Sequence, residues 1–225
     1  MKGKVINMEF IAKSEGNTSV PKLENGVYTA ISSMLIDIGG QKSPIDNNVR
    51  RKFMMVWNIV GEFIEINNEQ LPRVMSKEYT LSLNEKSNLR KDLQAWRGQA
   101  FTEEELNGFD LLTVMNKPCQ LQIINEEKNG KTYNNISAIM AMPKGMKVDP
   151  LDEVVIFITN NPETWINWEK IPKWIKDKIK KMEGYDNSEL KQYVEDYEKA
   201  EKENSADINS KNTEGVIAPD DGLPF

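Results

Sequence analysis

The sequence predicts a mainly β fold with helical insertions (α+β), followed by C-terminal helices and a disordered acidic tail. Three observations carry this expectation. Segments rich in β-branched and aromatic residues recur, each closed by Gly, Pro or Asn. Two helix signatures interrupt them. Acidic residues crowd the end of a chain of 225 residues with a formal net charge of -6. The expected organisation is an N-terminal extension over 1–25, a core over 26–160, a helical extension over 161–200, a disordered acidic linker over 201–219 and a terminal tip over 220–225.

The N-terminal extension mixes short apolar and polar pieces, with one early strand near 5–11. Residues 27–38 (VYTAISSMLIDI) read as a strand ended by Gly39 and Gly40. Residues 49–60 (VRRKFMMVWNIV) form a second, in which Phe53, Met55, Trp57 and Ile59 share one face by the period of two, and 63–66 continues the pairing. A third strand spans 74–83. Asn84 or Ser87 then caps a helix through Trp96 that buries Leu89, Leu93 and Trp96 and ends at Gly98. Thr102 and Glu105 make a capping-box pattern for a short helix, with another near 110–115. Strands over 118–126 and 131–142 flank Asn129 and Gly130, a strong hairpin signal. A further extended piece lies at 154–158. Residues 173–182 form an amphipathic helix with Trp174, Ile175, Ile179 and Met182 on its apolar side. Ser188 caps a last helix ending near Ala200, and 201–219 has the composition of disorder. Three strands, a helical insertion and two more strands form the pattern of a five-stranded OB-fold-like barrel.

Composition excludes several chemistries. The chain has no histidine and a single cysteine, Cys119. Histidine acid–base catalysis and histidine metal sites are therefore impossible, as is an intramolecular disulfide. Gly39, Gly40, Gln41, Lys42 and Ser43 only superficially suggest a phosphate loop, because Gln41 stands where glycine is required and Leu35 replaces the upstream glycine. Asp149, Asp152 and Glu153 are the carboxylates nearest to a metal-nuclease pattern, but no surrounding motif supports them. The expectation is a protein that is not an enzyme and uses no metal or cofactor. The start lacks a secretory pattern, and no apolar run reaches the ~18 residues of a membrane span. A soluble protein of the cytoplasm, with no membrane partner, is expected.

The charge is unevenly spread. After Tyr185 the acids far outnumber Lys191, Lys199, Lys202 and Lys211, so the tail holds the deficit and the rest of the chain is near neutral. A neutral or mildly basic body with an acidic tail is one of the asymmetries that point towards nucleic acid, although an ordinary solvated surface gives the same numbers.

Asp220, Asp221, Gly222, Leu223, Pro224 and Phe225 resemble the acidic C-terminal tip of bacterial single-stranded DNA-binding proteins, with two aspartates where that family commonly has three. The resemblance implies a protein-docking role for Asp220, Asp221, Leu223, Pro224 and Phe225. In it, an aromatic anchor beside a terminal carboxylate enters a basic pocket on replication or recombination proteins. A second resemblance rests on Leu71, Pro72 and Arg73, the runs 76–83 (SKEYTLSL) and 86–93 (KSNLRKDL), Trp96, Arg97 and Gly98, and 101–104 (FTEE). Phe109 to Leu111, Lys117 to Cys119 and Gly130 to Tyr133 complete it. Over about 26–145 the chain resembles phage and prophage replication proteins with an OB-type core, which implies single-stranded DNA as the partner in a bacterial host cytoplasm.

Bases and aromatics interleave in this block as a single-strand groove requires, with stacking worth roughly 1–3 kcal/mol per base and lysines or arginines on phosphates adding salt-dependent affinity. The candidate single-stranded DNA contacts are Arg50, Lys52, Trp57, Arg73, Lys77, Tyr79, Arg90, Arg97, Lys128, Lys131 and Tyr133. Trp57 shares a face with Phe53, Met55 and Ile59 and suits the core better, whereas Tyr79 and Tyr133 suit either role. The lysines of 170–182 extend a groove or form a solvated face. The expected function is non-specific coating of single-stranded DNA by a monomer or dimer, with the tip recruiting partners. Alternatives are a strand-annealing recombination protein and an interaction scaffold that binds no DNA.

Overall fold

The computed structural model of the protein describes residues 21–66 and 68–213. The early strand expected near 5–11 and the tip at 220–225 lie outside the described residues. The chain divides after Glu183 into two compact units.

The first unit is built on an antiparallel sheet of β1 (Gly26–Lys42), β2 (Val49–Ile66), β3 (Glu69–Thr80), β4 (Pro118–Lys128) and β5 (Lys131–Met140). Their order is β3-β2-β1-β4-β5, and β6 (Val155–Phe157) runs parallel beside β1. β1 is the shared strand. Gly26 to Ile31 pair with β4, whereas Met34, Leu35 and Ile36 pair with β6. The change falls at Ser33, where the register with β2 slips between Ser32 and Met34; a bulge of this kind bends a strand and sharpens its twist. The Ser32 hydroxyl occupies the corner, donating to the Val114 carbonyl at 2.7 Å. The sheet curls so that its ends, β3 and β5, come into contact, and α1 (Asn88–Arg97) packs against both.

The inner face is the one read from the sequence. Phe53, Met55, Trp57 and Ile59 join Tyr79, Leu121, Ile123, Ile139, Leu93 and Trp96 in a single core. Helix signals also hold. Ser87 accepts the Arg90 N–H at 3.1 Å and Gly98 ends α1 in the left-handed region. Thr102 and Glu105 form a complete capping box on α2 (Glu103–Asn107). Asn129 and Gly130 both have positive φ, 53° and 71°, as a type I′ hairpin requires.

The other face of β1 and β2 is also covered, which the sequence did not suggest. Ile36, Ile38, Met54 and Val56 are buried. α3 (Lys173–Ile179) packs on β1 and the 3-10 segment Pro162–Lys170 packs on β6, bringing Phe157, Trp168, Ile175 and Ile179 into a second apolar layer. The residues expected as a separate extension from 161 are thus part of the sheet's packing as far as Glu183.

The turn after α3 explains why β1 does not stop at Gly39 and Gly40. The Glu183 N–H donates to the Gly40 carbonyl at 2.8 Å. Gly39 has φ +70°, and a Cβ there would lie 2.9 Å from Met182 Cβ. Gly39→Ala should cost about 1–3 kcal/mol from the left-handed backbone alone, with displacement of Met182 in addition. An unchanged urea midpoint would contradict this packing.

Two polar clamps hold the first unit. Buried Asp37 accepts hydrogen bonds from Arg51 (2.7 Å), the Thr159 hydroxyl (2.6 Å) and the Gly39 N–H (3.0 Å). Burial pushes its pKa up, but these hydrogen bonds and the Arg51 charge together outweigh burial and hold it below the usual carboxylate value. At the chain's start, Leu23 lies in the core. Its N–H donates to Asn134 Oδ1 at 3.0 Å, and its carbonyl accepts from Asn134 and Asn125 at 2.9 and 3.1 Å. These hydrogen bonds join the end of the expected N-terminal extension to β4 and β5.

In the second unit, Ser188 precedes α4 (Glu189–Thr213) and its hydroxyl accepts the Lys191 N–H. The helix passes the end expected near Ala200 and runs to Thr213. Adding residues to an existing helix is cheap compared with nucleating one. Residues 214–219 of the expected linker lie outside the described residues. Among the described residues, no helix is long and apolar enough to cross a membrane.

Candidate nucleic-acid interface

Two of the aromatic residues singled out from the sequence are core. Trp57 is 0% exposed and packs on Trp96, with ring centroids 6.0 Å apart. Tyr79 is 3% exposed, stacks on Phe53 at 5.6 Å and donates its hydroxyl to Asp92 at 2.7 Å. Burial, then the adjacent Asp92 carboxylate, pushes the Tyr79 pKa far up. Neither ring has a face open to a base, so both are corrected from candidate contacts to structural residues. The reason is parity: each points to the inner side of a strand whose apolar period was visible in the sequence.

Most of the cations are engaged within the fold. Arg50 pairs with Asp46, Lys52 with Glu78 at 2.9 Å, and Lys77 with Asp92 at 2.7 Å. Arg97 pairs with Glu105 and lies over the rings of Phe101 and Phe109 at 4.6 and 4.8 Å, a largely buried anchor for α1 and α2. Arg73 donates to the Pro21 carbonyl, and Arg90 to Gln94 (3.2 Å) and the Leu83 carbonyl (3.4 Å). The structure therefore does not gather these residues into one open groove.

Lys128, Lys131 and Tyr133 are different. Lys128 and Lys131 are opposite partners at the tip of the β4–β5 hairpin, both are exposed, and Tyr133 follows on the same side of β5 at 45% exposure. Neither lysine has an ion-pair partner among the described residues. Register then identifies the rest of this outer face. Glu126 lies opposite Tyr133 and Ile124 opposite Asn135; Val27, Gln122 and Ala138 form one cross-strand row, and Thr29, Gln120 and Met140 another. None of these side chains is buried, in contrast to the covered half of the sheet. Asn135 holds Glu126 by a hydrogen bond of 2.6 Å.

At the far end of this face, Thr29 meets Met146 of the loop after β5, with exposed Lys144 and Lys147 on either side of Met146 in sequence. At ~3.3 Å per residue, β5 carries the face over roughly 30 Å. The face thus has lysines at both ends, one open aromatic ring opposite Glu126, and a mixture of amide, hydroxyl and apolar side chains between them. Gln120, Gln122, Lys144 and Lys147 were missed from the sequence. The signal available was the polar half of the alternation in β4, which becomes informative only once its inner partners are known.

Asp149, Asp152 and Glu153 do not form a group able to share a metal ion among the described residues; Glu153 pairs with Lys170. No family model matches the chain, and no curated protein matches it.

Proposed function

We propose that this protein binds single-stranded DNA with little sequence specificity, in phage or prophage replication or recombination, and performs no chemistry on it. The observation that carries the reading is the open Tyr133 ring beside Lys128 and Lys131, on the uncovered outer face of β1, β4 and β5. Stacking on an exposed ring tolerates any base, and paired lysines track a phosphate backbone. The fold reading supports it. The order β3-β2-β1-β4-β5, with its ends in contact and a helix between the third and fourth strands, is consistent with an OB-type barrel. The loop between the last two strands of such barrels is a common site for oligonucleotides. The acidic segment with Asp220, Asp221, Leu223, Pro224 and Phe225 would recruit partner proteins with basic pockets.

The test is a titration of labelled oligo-dT at two salt concentrations, with duplex DNA and RNA as controls and magnesium present. Tight, salt-sensitive binding of the intact oligonucleotide is expected. Absence of binding at low salt, or preference for duplex, overturns the proposal.

A further inference from the structure

We infer that α3 and the turn after it carry a second single-strand contact, with Trp174 as its stacking platform and Lys173 and Lys181 as its phosphate contacts. This rests on the single-strand reading above but on different residues. The chain has five tryptophans. Trp57, Trp96, Trp165 and Trp168 are buried, and Trp174 alone is open, at 38% exposure. It was expected on the apolar side of its helix with Ile175 and Ile179. Those two are fully buried against the sheet, and Trp174 is left at the surface.

The surroundings of this ring are cationic. Lys178, one turn on, holds its ammonium 5.8 Å from the Trp174 ring centre. Lys181 lies a further turn along, Lys173 precedes the ring, and Asp177 is the only acid in α3. Glu78 is shared by Lys178 and Lys52, so the cluster continues onto β2 and draws in one residue already suspected from the sequence. Burial raises the Glu78 pKa and the two lysines lower it; the net effect is downward, so the carboxylate stays charged and fixes the Lys178 ammonium beside the ring. An exposed indole set among lysines offers a flat π-face to a base and positive charge to the adjoining phosphates. A polyanion with unstacked bases satisfies both features. An acidic protein surface would use only the charge.

All five tryptophans contribute to the intrinsic fluorescence, but only Trp174 is open to contact quenching by a stacked base. Oligo-dT should quench the emission of the wild-type protein, and Trp174→Phe should remove most of that response while retaining the fold, checked by thermal unfolding. Trp174→Ala should weaken binding roughly tenfold, within the range for one stacked base. Unaltered affinity in Trp174→Ala, or equal quenching in Trp174→Phe, overturns the second contact. If Trp174→Ala binds normally while variants at Tyr133 do not, only this inference fails. If the wild-type protein does not bind oligo-dT at low salt, both fail. Burial of Trp174 with rising protein concentration and no DNA would assign the face to a second copy of the chain instead.

Discussion

Asp37→Ala is expected to lower the unfolding free energy by about 2–4 kcal/mol, mainly from buried donors left without an acceptor, since Arg51 is 44% exposed and stays in contact with water. Asp37 ties β1 to Arg51 on β2 and to Thr159 after β6, and its side chain is only 7% exposed. Removing it strands the Gly39 N–H and the Thr159 hydroxyl, each costing about 1–3 kcal/mol when left without a partner. Asp37→Asn keeps an acceptor but no charge, and should recover part of the loss. The pH dependence has a fixed sign. The folded carboxylate titrates below its unfolded value. Its contribution is therefore complete above the unfolded pKa of about 4 and disappears as pH falls through the folded value. Denaturation curves between pH 2 and 7 should show a loss in the wild-type protein that is smaller in Asp37→Ala. Equal slopes would remove Asp37 from the account.

Tyr133→Ala should weaken oligo-dT binding by about 1–3 kcal/mol, the worth of one stacked base, with stability changed by no more than about 0.5 kcal/mol because the ring is at the surface. Trp57→Ala should do the reverse. A fully buried tryptophan costs about 3–5 kcal/mol when truncated, and the affinity of the molecules that remain folded should not change. Measuring both quantities on both variants separates the ring that the sequence favoured as core from the one it left open to either role. Lost stability at Tyr133 with intact binding would place that ring in the scaffold.

The strands, helix caps and hairpin were legible because their signals are local. The alternation through Phe53, Met55, Trp57 and Ile59, the serine before α1, and Asn129 with Gly130 each act within a few residues. The second apolar layer was not legible. Ile36, Ile38, Met54 and Val56 are the other half of the same strands, and only the position of β6 and α3 shows that they are covered. The candidate site was readable to the same extent. Lys128, Lys131 and Tyr133 belong to one hairpin, so their proximity follows from sequence. The fate of Lys52, Lys77 and Arg97 depended on Glu78, Asp92 and Glu105. Spacing revealed the cations but not the carboxylates that engage them. Trp174 was missed for a related reason: helical period placed it with Ile175 and Ile179, and only docking of α3 decided which side faces water.

The most direct test of single-strand binding at the β4–β5 hairpin is the salt dependence of oligo-dT affinity in the wild-type protein and in a variant carrying Lys128→Ala and Lys131→Ala. Each phosphate contact adds about 0.7 to the slope of log affinity against log salt on single strands. Loss of both lysines should lower the slope by about 1.4, with no change in thermal stability. A slope equal to that of the wild-type protein would contradict the assignment of this hairpin as the DNA contact.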